Sequence, residues 1–225
     1  MSISTTPPPA PPKKKGLGCL GVGCIILAVL GLLFLAVVAG GCYMGYQKVV
    51  SLTSTTATDI PSFHGSDDVY NAAQQKITAF GHDVANHQAA TIQLSADEIN
   101  TLIARNPEMI RQQARLFVSL ANDQVQVQGS IPTDTFVQSI LKDRYVNFDT
   151  TFGLGFNSDT KSIELSLHHL QIGDQPTPEN LLPTMQAEFT PLLSAELQKY
   201  PPANDLLQQA KSIEVKDGEL VIETQ

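Results

Sequence analysis

The sequence predicts an α+β protein in which one N-terminal transmembrane helix is followed by an exported domain, a curved, mainly antiparallel sheet packed against several helices. Three observations lead there. No Asp, Glu, Lys or Arg occurs between Gly16 and Gln47, which is why only 16% of the 225 residues are charged, against an ordinary ~25%. Beyond that stretch, segments with apolar residues three or four apart alternate with segments whose apolar residues recur every second position. Two short turn signals, Asn122-Asp123 and Asp217-Gly218, each sit between such alternating runs and predict hairpins.

The apolar segment 17–44 exceeds the about 20 residues needed to span a ~30 Å hydrocarbon layer. Lys13, Lys14 and Lys15 precede it and only Lys48 follows closely, so the positive-inside bias keeps residues 1–16 cytoplasmic and exports the remainder. Those first residues, with their run of prolines, read as a Pro/Lys-rich cytoplasmic tail in an extended left-handed conformation. A cleaved signal peptide has an apolar core of about 7–15 residues, so the length favours a retained signal anchor in a bacterial-type inner (cytoplasmic) membrane. The alternative is a lipoprotein, because Ala39-Gly40-Gly41-Cys42 loosely matches a lipobox and offers Cys42 for lipidation.

Of the 14 basic residues, the three lysines of the tail are the only ones before position 47, which leaves 11 against 22 acids in the exported, periplasmic part. A net charge of −11 without basic runs lacks the electrostatic footprint of a nucleic-acid binder and excludes that class of partner. All three cysteines, Cys19, Cys24 and Cys42, precede residue 45, so disulfides and cysteine chemistry are absent from that part.

Residues 45–65 are rich in Ser and Thr without sustained period and read as a stalk; the domain occupies 66–225. Ser66 caps a helix burying Val69, Ala73, Ile77, Phe80 and Val84 and running to about His87. Ile92 and Leu94 form a short strand, and Ser95 to Glu98 has the spacing of a capping box for a second helix. Asn106-Pro107 opens a further short one. Leu116, Val118 and Leu120 then pair as a hairpin with Val125, Val127 and Ile131, and Pro132 to Asp134 starts a short helix containing Phe136, Val137 and Ile140. Even positions from Val146 through Phe148, Phe152, Leu154 and Phe156 mark the clearest strand. Its return through Ile163, Leu165 and Leu167 shifts by one residue to Leu170 and Ile172, which predicts a β-bulge at His168-His169. Thr177-Pro178-Glu179 opens an apolar seam of Leu182, Met185, Phe189, Leu192 or Leu193, and Leu197; Pro183 and Pro191 are expected to break it into two or three short helices. A helix around Leu206 and a terminal hairpin, with Val215 facing Leu220 and Ile213 facing Ile222 across Asp217-Gly218, complete the chain.

Chemistry is sparse. His82 and His87 are five apart instead of the four that one helical face requires, His168 and His169 fall on opposite faces of a strand, and no metal or cofactor is expected. The sequence contains no nucleophile elbow, Walker loop or dinucleotide fingerprint, and the acids are scattered singly. An enzyme is therefore not expected, an exported hydrolase being the third-ranked reading. The apolar strand 146–156 and the seam 182–197 either cover one another as core or leave a groove lined by Phe148, Phe152, Phe156, Met185 and Phe189 for an acyl chain or extended peptide.

The order of parts, with the Leu94-Ser95-Ala96-Asp97-Glu98-Ile99-Asn100 junction, the Gly129-Ser130-Ile131-Pro132 step and the Leu170 to Pro176 run containing Ile-Gly-x-x-Pro, resembles the bacterial YpmS-type family. The related LmeA-type envelope proteins are regarded as single-lobe relatives of tubular lipid-binding domains. That resemblance implies a helix lying in a curved antiparallel sheet, a lipid or other apolar ligand, a role in envelope maintenance and no catalytic residues. The alternative, from another class, is a structural module that recruits partner proteins at the membrane and holds no ligand.

Overall fold

Ser66 begins the first helix as its spacing requires: its hydroxyl accepts from the Val69 amide at 3.3 Å, and α1 runs Asp67–Ala85 with Ala73, Ile77, Phe80 and Val84 buried on one stripe. The computed structural model describes residues 52–135 and 143–225. The apolar segment 17–44, Lys13, Lys14, Lys15, Cys42 and the expected helical residues Phe136, Val137 and Ile140 lie outside the described residues. Among the described residues no helix is long and apolar enough to cross a membrane.

The chain continues as β1 (Thr91–Ser95), α2 (Ala96–Ala104), α3 (Pro107–Gln112), β2 (Arg115–Ala121) and β3 (Gln124–Pro132). The capping box is present in full, with Ser95 Oγ accepting from Glu98 N and Glu98 Oε2 accepting from Ser95 N. Asn106 Oδ1 accepts from Glu108 and Met109 amides, leaving Pro107 where no N–H is needed. Asn122 and Asp123 both have positive φ, as a type I′ turn requires, and so pair Leu120 with Val125 and Val118 with Val127. After a 3-10 turn at Thr133–Thr135 come β4 (Tyr145–Asn157) and β5 (Ser162–Ile172). Thr151 faces His169 while Phe152 faces Leu167, so His168 is the extra residue and the bulge falls where the apolar spacing slips.

Two corrections concern architecture. The sequence predicts one sheet; the structure has two, both antiparallel. One orders β2-β3-β4-β5-β6, with β6 only Gln175–Pro176, and the other orders β1-β8-β7, with β7 (Ala210–Lys216) and β8 (Glu219–Thr224) forming the terminal hairpin in its expected register. Strand β1 joins that hairpin across most of the chain's length, a pairing that local pattern cannot reveal. The seam after Pro178 is likewise not broken into pieces: a 3-10 turn at Glu179–Leu181 leads into one helix, α4 (Leu182–Gln198), followed by α5 (Pro201–Gln209). Pro183 sits in the first turn of α4, where its missing N–H costs nothing, and Pro191 is carried inside the helix. Of the two candidate seam residues, Leu193 is buried and Leu192 is 56% exposed.

Residues 52–65, read as part of a stalk, are strapped to the domain. Ser54 pairs with Tyr145, Arg144 donates to Thr53 O and Oγ1, and buried Asn147 donates to Thr56 O while its Oδ1 accepts from Thr58 N and Ser130 Oγ. Arg115 donates to Thr58 O and Arg105 to Gly65 O. Three of the chain's four arginines therefore hold the strap by its carbonyls. This also explains why Asn147, on the polar face of β4, is buried: the strap covers that face at its start.

Two apolar clusters fill the interior. The larger lies between the two sheets, α1, α2, the second half of α4 and α5; it includes Phe80, Leu94, Ile99, Phe152, Leu197 and Leu220. The smaller gathers Ile131, Val146, Leu170, Ile172, Leu182 and Phe189, with Leu52 packed against it. Phe148 and Leu167 touch both.

Candidate functional site

The five residues expected to line one groove are divided between these clusters. Phe152 is 3% exposed in the larger cluster and Phe156 packs at its margin; Phe189 belongs to the smaller one with Met185 against it, and Phe148 bridges. The division follows from α4, which is long enough to lay its first half on one cluster and its second half, beyond Pro191, on the other. A seam read as several short helices gave no sign of that.

What the structure does place in the core is a cavity of about 90 Å³ between the sheets and the last two helices. Phe152 is on its wall, as are Ile99, Val125, Ile163 and Leu220, and every lining side chain is apolar. Leu197 of α4 and Ala203, Leu206 and Leu207 of α5 close it from one side. Of these, the sequence pattern singled out Leu197 in the seam and a helix around Leu206, and gave no sign of Ala203 or Leu207. Being on a cavity wall is a property of how the helices cross the sheets.

A second, larger cleft of about 540 Å³ lies between residues 57–64 and the α2, α3 and β2 elements. Two of its polar side chains are bonded to backbone elsewhere, Asn100 to Val118 and Arg115 to Thr58 O, while Ser62, His64, Gln113 and Tyr145 also line it. A third depression is confined to the polar face of α1.

Titratable groups point to structure. Burial raises the Glu98 carboxyl, but the Lys76 ammonium at 2.7 Å and the Ser95 N–H and hydroxyl outweigh it, so its pKa is lowered. Arg111 lowers Glu108 and is itself raised by that partner, and Glu196 raises Lys199; these are surface pairs along helices. None of these groups lines the apolar cavity. His168 and His169 are both exposed, and His82 contacts Asp83 and Asn86 at the surface. Among the described residues no three His, Cys, Asp or Glu side chains converge to hold a metal.

The fold defines an α+β domain built from two antiparallel sheets packed against helices. No protein-family model matches the chain, and no curated protein matches it.

Proposed function

We propose that this chain is a membrane-anchored, extracytoplasmic, non-catalytic domain that binds a lipid or other apolar ligand in the bacterial envelope, with the apolar cavity bordered by Phe152 as its binding site. The observation that carries this reading is the cavity. At ~24 cal/mol per Å³ of residual void, a space of this size left inside a core costs about 2 kcal/mol, a large fraction of a marginal stability. Its wall offers a guest apolar contact and no polar partner, so it selects hydrocarbon. The anchor and topology rest on the apolar segment 17–44 and the lysines before it, and the lipid class is in keeping with the YpmS-type and LmeA-type resemblance.

Residues 47–225 contain every described element. Native mass spectrometry of this portion, secreted from an envelope-bearing host, should show a fraction carrying a lipid-sized adduct that is lost on delipidation. A clean apo mass, together with protein cross-links in intact membranes, would overturn the ligand reading in favour of the partner-recruiting module.

A further inference from the structure

The cavity in its present form is smaller than the ~300–1,000 Å³ of ordinary small-molecule pockets, so seating a whole alkyl chain needs more room than it now offers. The wall that can move is identifiable from what holds it. Among the described residues, no hydrogen bond or ion pair leads from residues 187–208 to another part of the chain. The polar links of this stretch, such as Lys199 with Glu196, stay inside α4 and α5 and the turn between them. The last outward tie before the stretch is Gln186 Oε1 accepting from Leu167 N at 3.1 Å, and the next after it is Gln209 O accepting from Gln225 N. Between them the helices adhere through apolar side chains alone, four of which face the cavity.

Both ends of this stretch carry the marks of a joint. Pro191 deprives α4 of one internal hydrogen bond at the point where the helix passes from one cluster to the other. The buried side-chain polar atoms left without a partner among the described residues are Thr190 Oγ1, beside that proline, and Gln209 Oε1, at the end of α5. Native structures satisfy nearly all such atoms, and these two lie one at each end of the stretch.

We propose that the cavity is the closed form of a site for a single unbranched alkyl chain, and that residues 191–208 are its cover, swinging about Pro191 and Gln209 to admit the chain. This rests on the ligand reading above and adds to it the ligand's class and its route. Because the lining has no polar side chain, the alkyl tail alone is buried and the headgroup stays at the mouth.

The test uses the full chain in phosphatidylcholine vesicles, labelled with a fatty acid bearing a chain-terminal diazirine and, in a parallel arm, with a phosphatidylcholine carrying the same acyl chain. Photolabel should map to cover residues such as Leu197 and Leu206 and to Val125 or Phe152 opposite; the arm that labels identifies the source of the chain. Ala203→Leu, which fills the cavity, should abolish that labelling. Pro191→Ala restores one backbone hydrogen bond and should slow the labelling rate by up to about tenfold with its final extent unchanged. In unlabelled wild-type protein, amides of 192–208 should exchange with deuterium faster than those of α1. Label confined to the apolar segment 17–44 overturns the ligand reading and this one together. Label in the cavity with wild-type rates for Pro191→Ala and slow exchange across 192–208 overturns the cover alone and leaves the ligand reading intact. Undiminished cavity labelling of Ala203→Leu overturns the assignment of this cavity as the site.

Discussion

Asn100 is 2% exposed, and its amide acts as a stand-in for a neighbouring strand. Its Nδ2 donates to Val118 O at 2.7 Å and its Oδ1 accepts from Val118 N at 2.8 Å, which closes the free edge of β2. Asn100→Leu should leave both backbone groups buried and unpaired and cost about 2–6 kcal/mol in denaturant unfolding, at roughly 1–3 kcal/mol per stranded group. On the opposite edge Gln186 Oε1 accepts a single bond from Leu167 N. Glu98 carries a pH signature. Its folded pKa is lowered by Lys76 and Ser95 against the contrary effect of burial, so it contributes stability that is fully present above the unfolded carboxyl value of about 4.3. That contribution is lost as pH falls through the folded value. Glu98→Gln should therefore be destabilised at pH 7, and the gap to wild type should close on titration below pH ~4; a gap independent of pH would show that the carboxylate charge is irrelevant.

At the scale of elements, the β3–β4 pairing depends on one glycine. A Cβ at Gly129 would stand 2.1 Å from the Phe148 ring and 2.8 Å from Leu116 Cδ2, so the aromatic ring lies across the bare backbone of its cross-strand neighbour. Gly129→Ala must displace Phe148, one of two side chains shared by the clusters, and should cost the ~1–3 kcal/mol typical of overpacking; thermal denaturation measures it. The strap makes a different prediction. Its hold on β4 runs through Arg144 to Thr53 and Asn147 to Thr56 and Thr58. Asn147→Ala should release residues 53–58 to proteolysis while leaving the two sheets folded, since the ladder bonds of β4 are made by its backbone. Cleavage at wild-type rate would show that the arginines suffice.

For the whole molecule, the question is whether two clusters make one cooperative unit. Phe148 and Leu167 belong to the contacts of both, and α4 packs on both. Phe189→Ala in the smaller cluster should lower stability by roughly 3–5 kcal/mol and Phe152→Ala in the larger by less, both within a single transition. The Phe152→Ala loss falls below that range in delipidated protein because the removed ring borders the cavity; a full-range loss with no lipid in either preparation would overturn the ligand reading. Two separate transitions for Phe189→Ala would mean that the end of the sheet near Leu52 unfolds by itself. Topology has its own measurement: a reporter fused after Gln225 should be active only outside the cytoplasm, and an acylated N-terminus at Cys42 would establish the lipoprotein form instead.

Local chemistry was legible in the sequence wherever a few adjacent residues decide the outcome. The Ser66 cap, the Ser95–Glu98 box, the two hairpins and the bulge at His168 all depend on residues joined by one turn or adjacent along the chain, so composition and spacing suffice. The same reasoning read Pro183 and Pro191 as breaks, because it could not weigh a proline against apolar anchoring along the whole of α4. Contacts between distant segments were decided by the tertiary structure alone. Strand β1 joins β8 to make a second sheet, three arginines and an asparagine from separate parts of the domain hold the strap, and Phe152 and Phe189 are parted into different clusters. The cavity belongs to the same class. Apolar periodicity says which side chains turn inward, whereas a void exists only where the crossing of helices and sheets keeps those side chains from meeting.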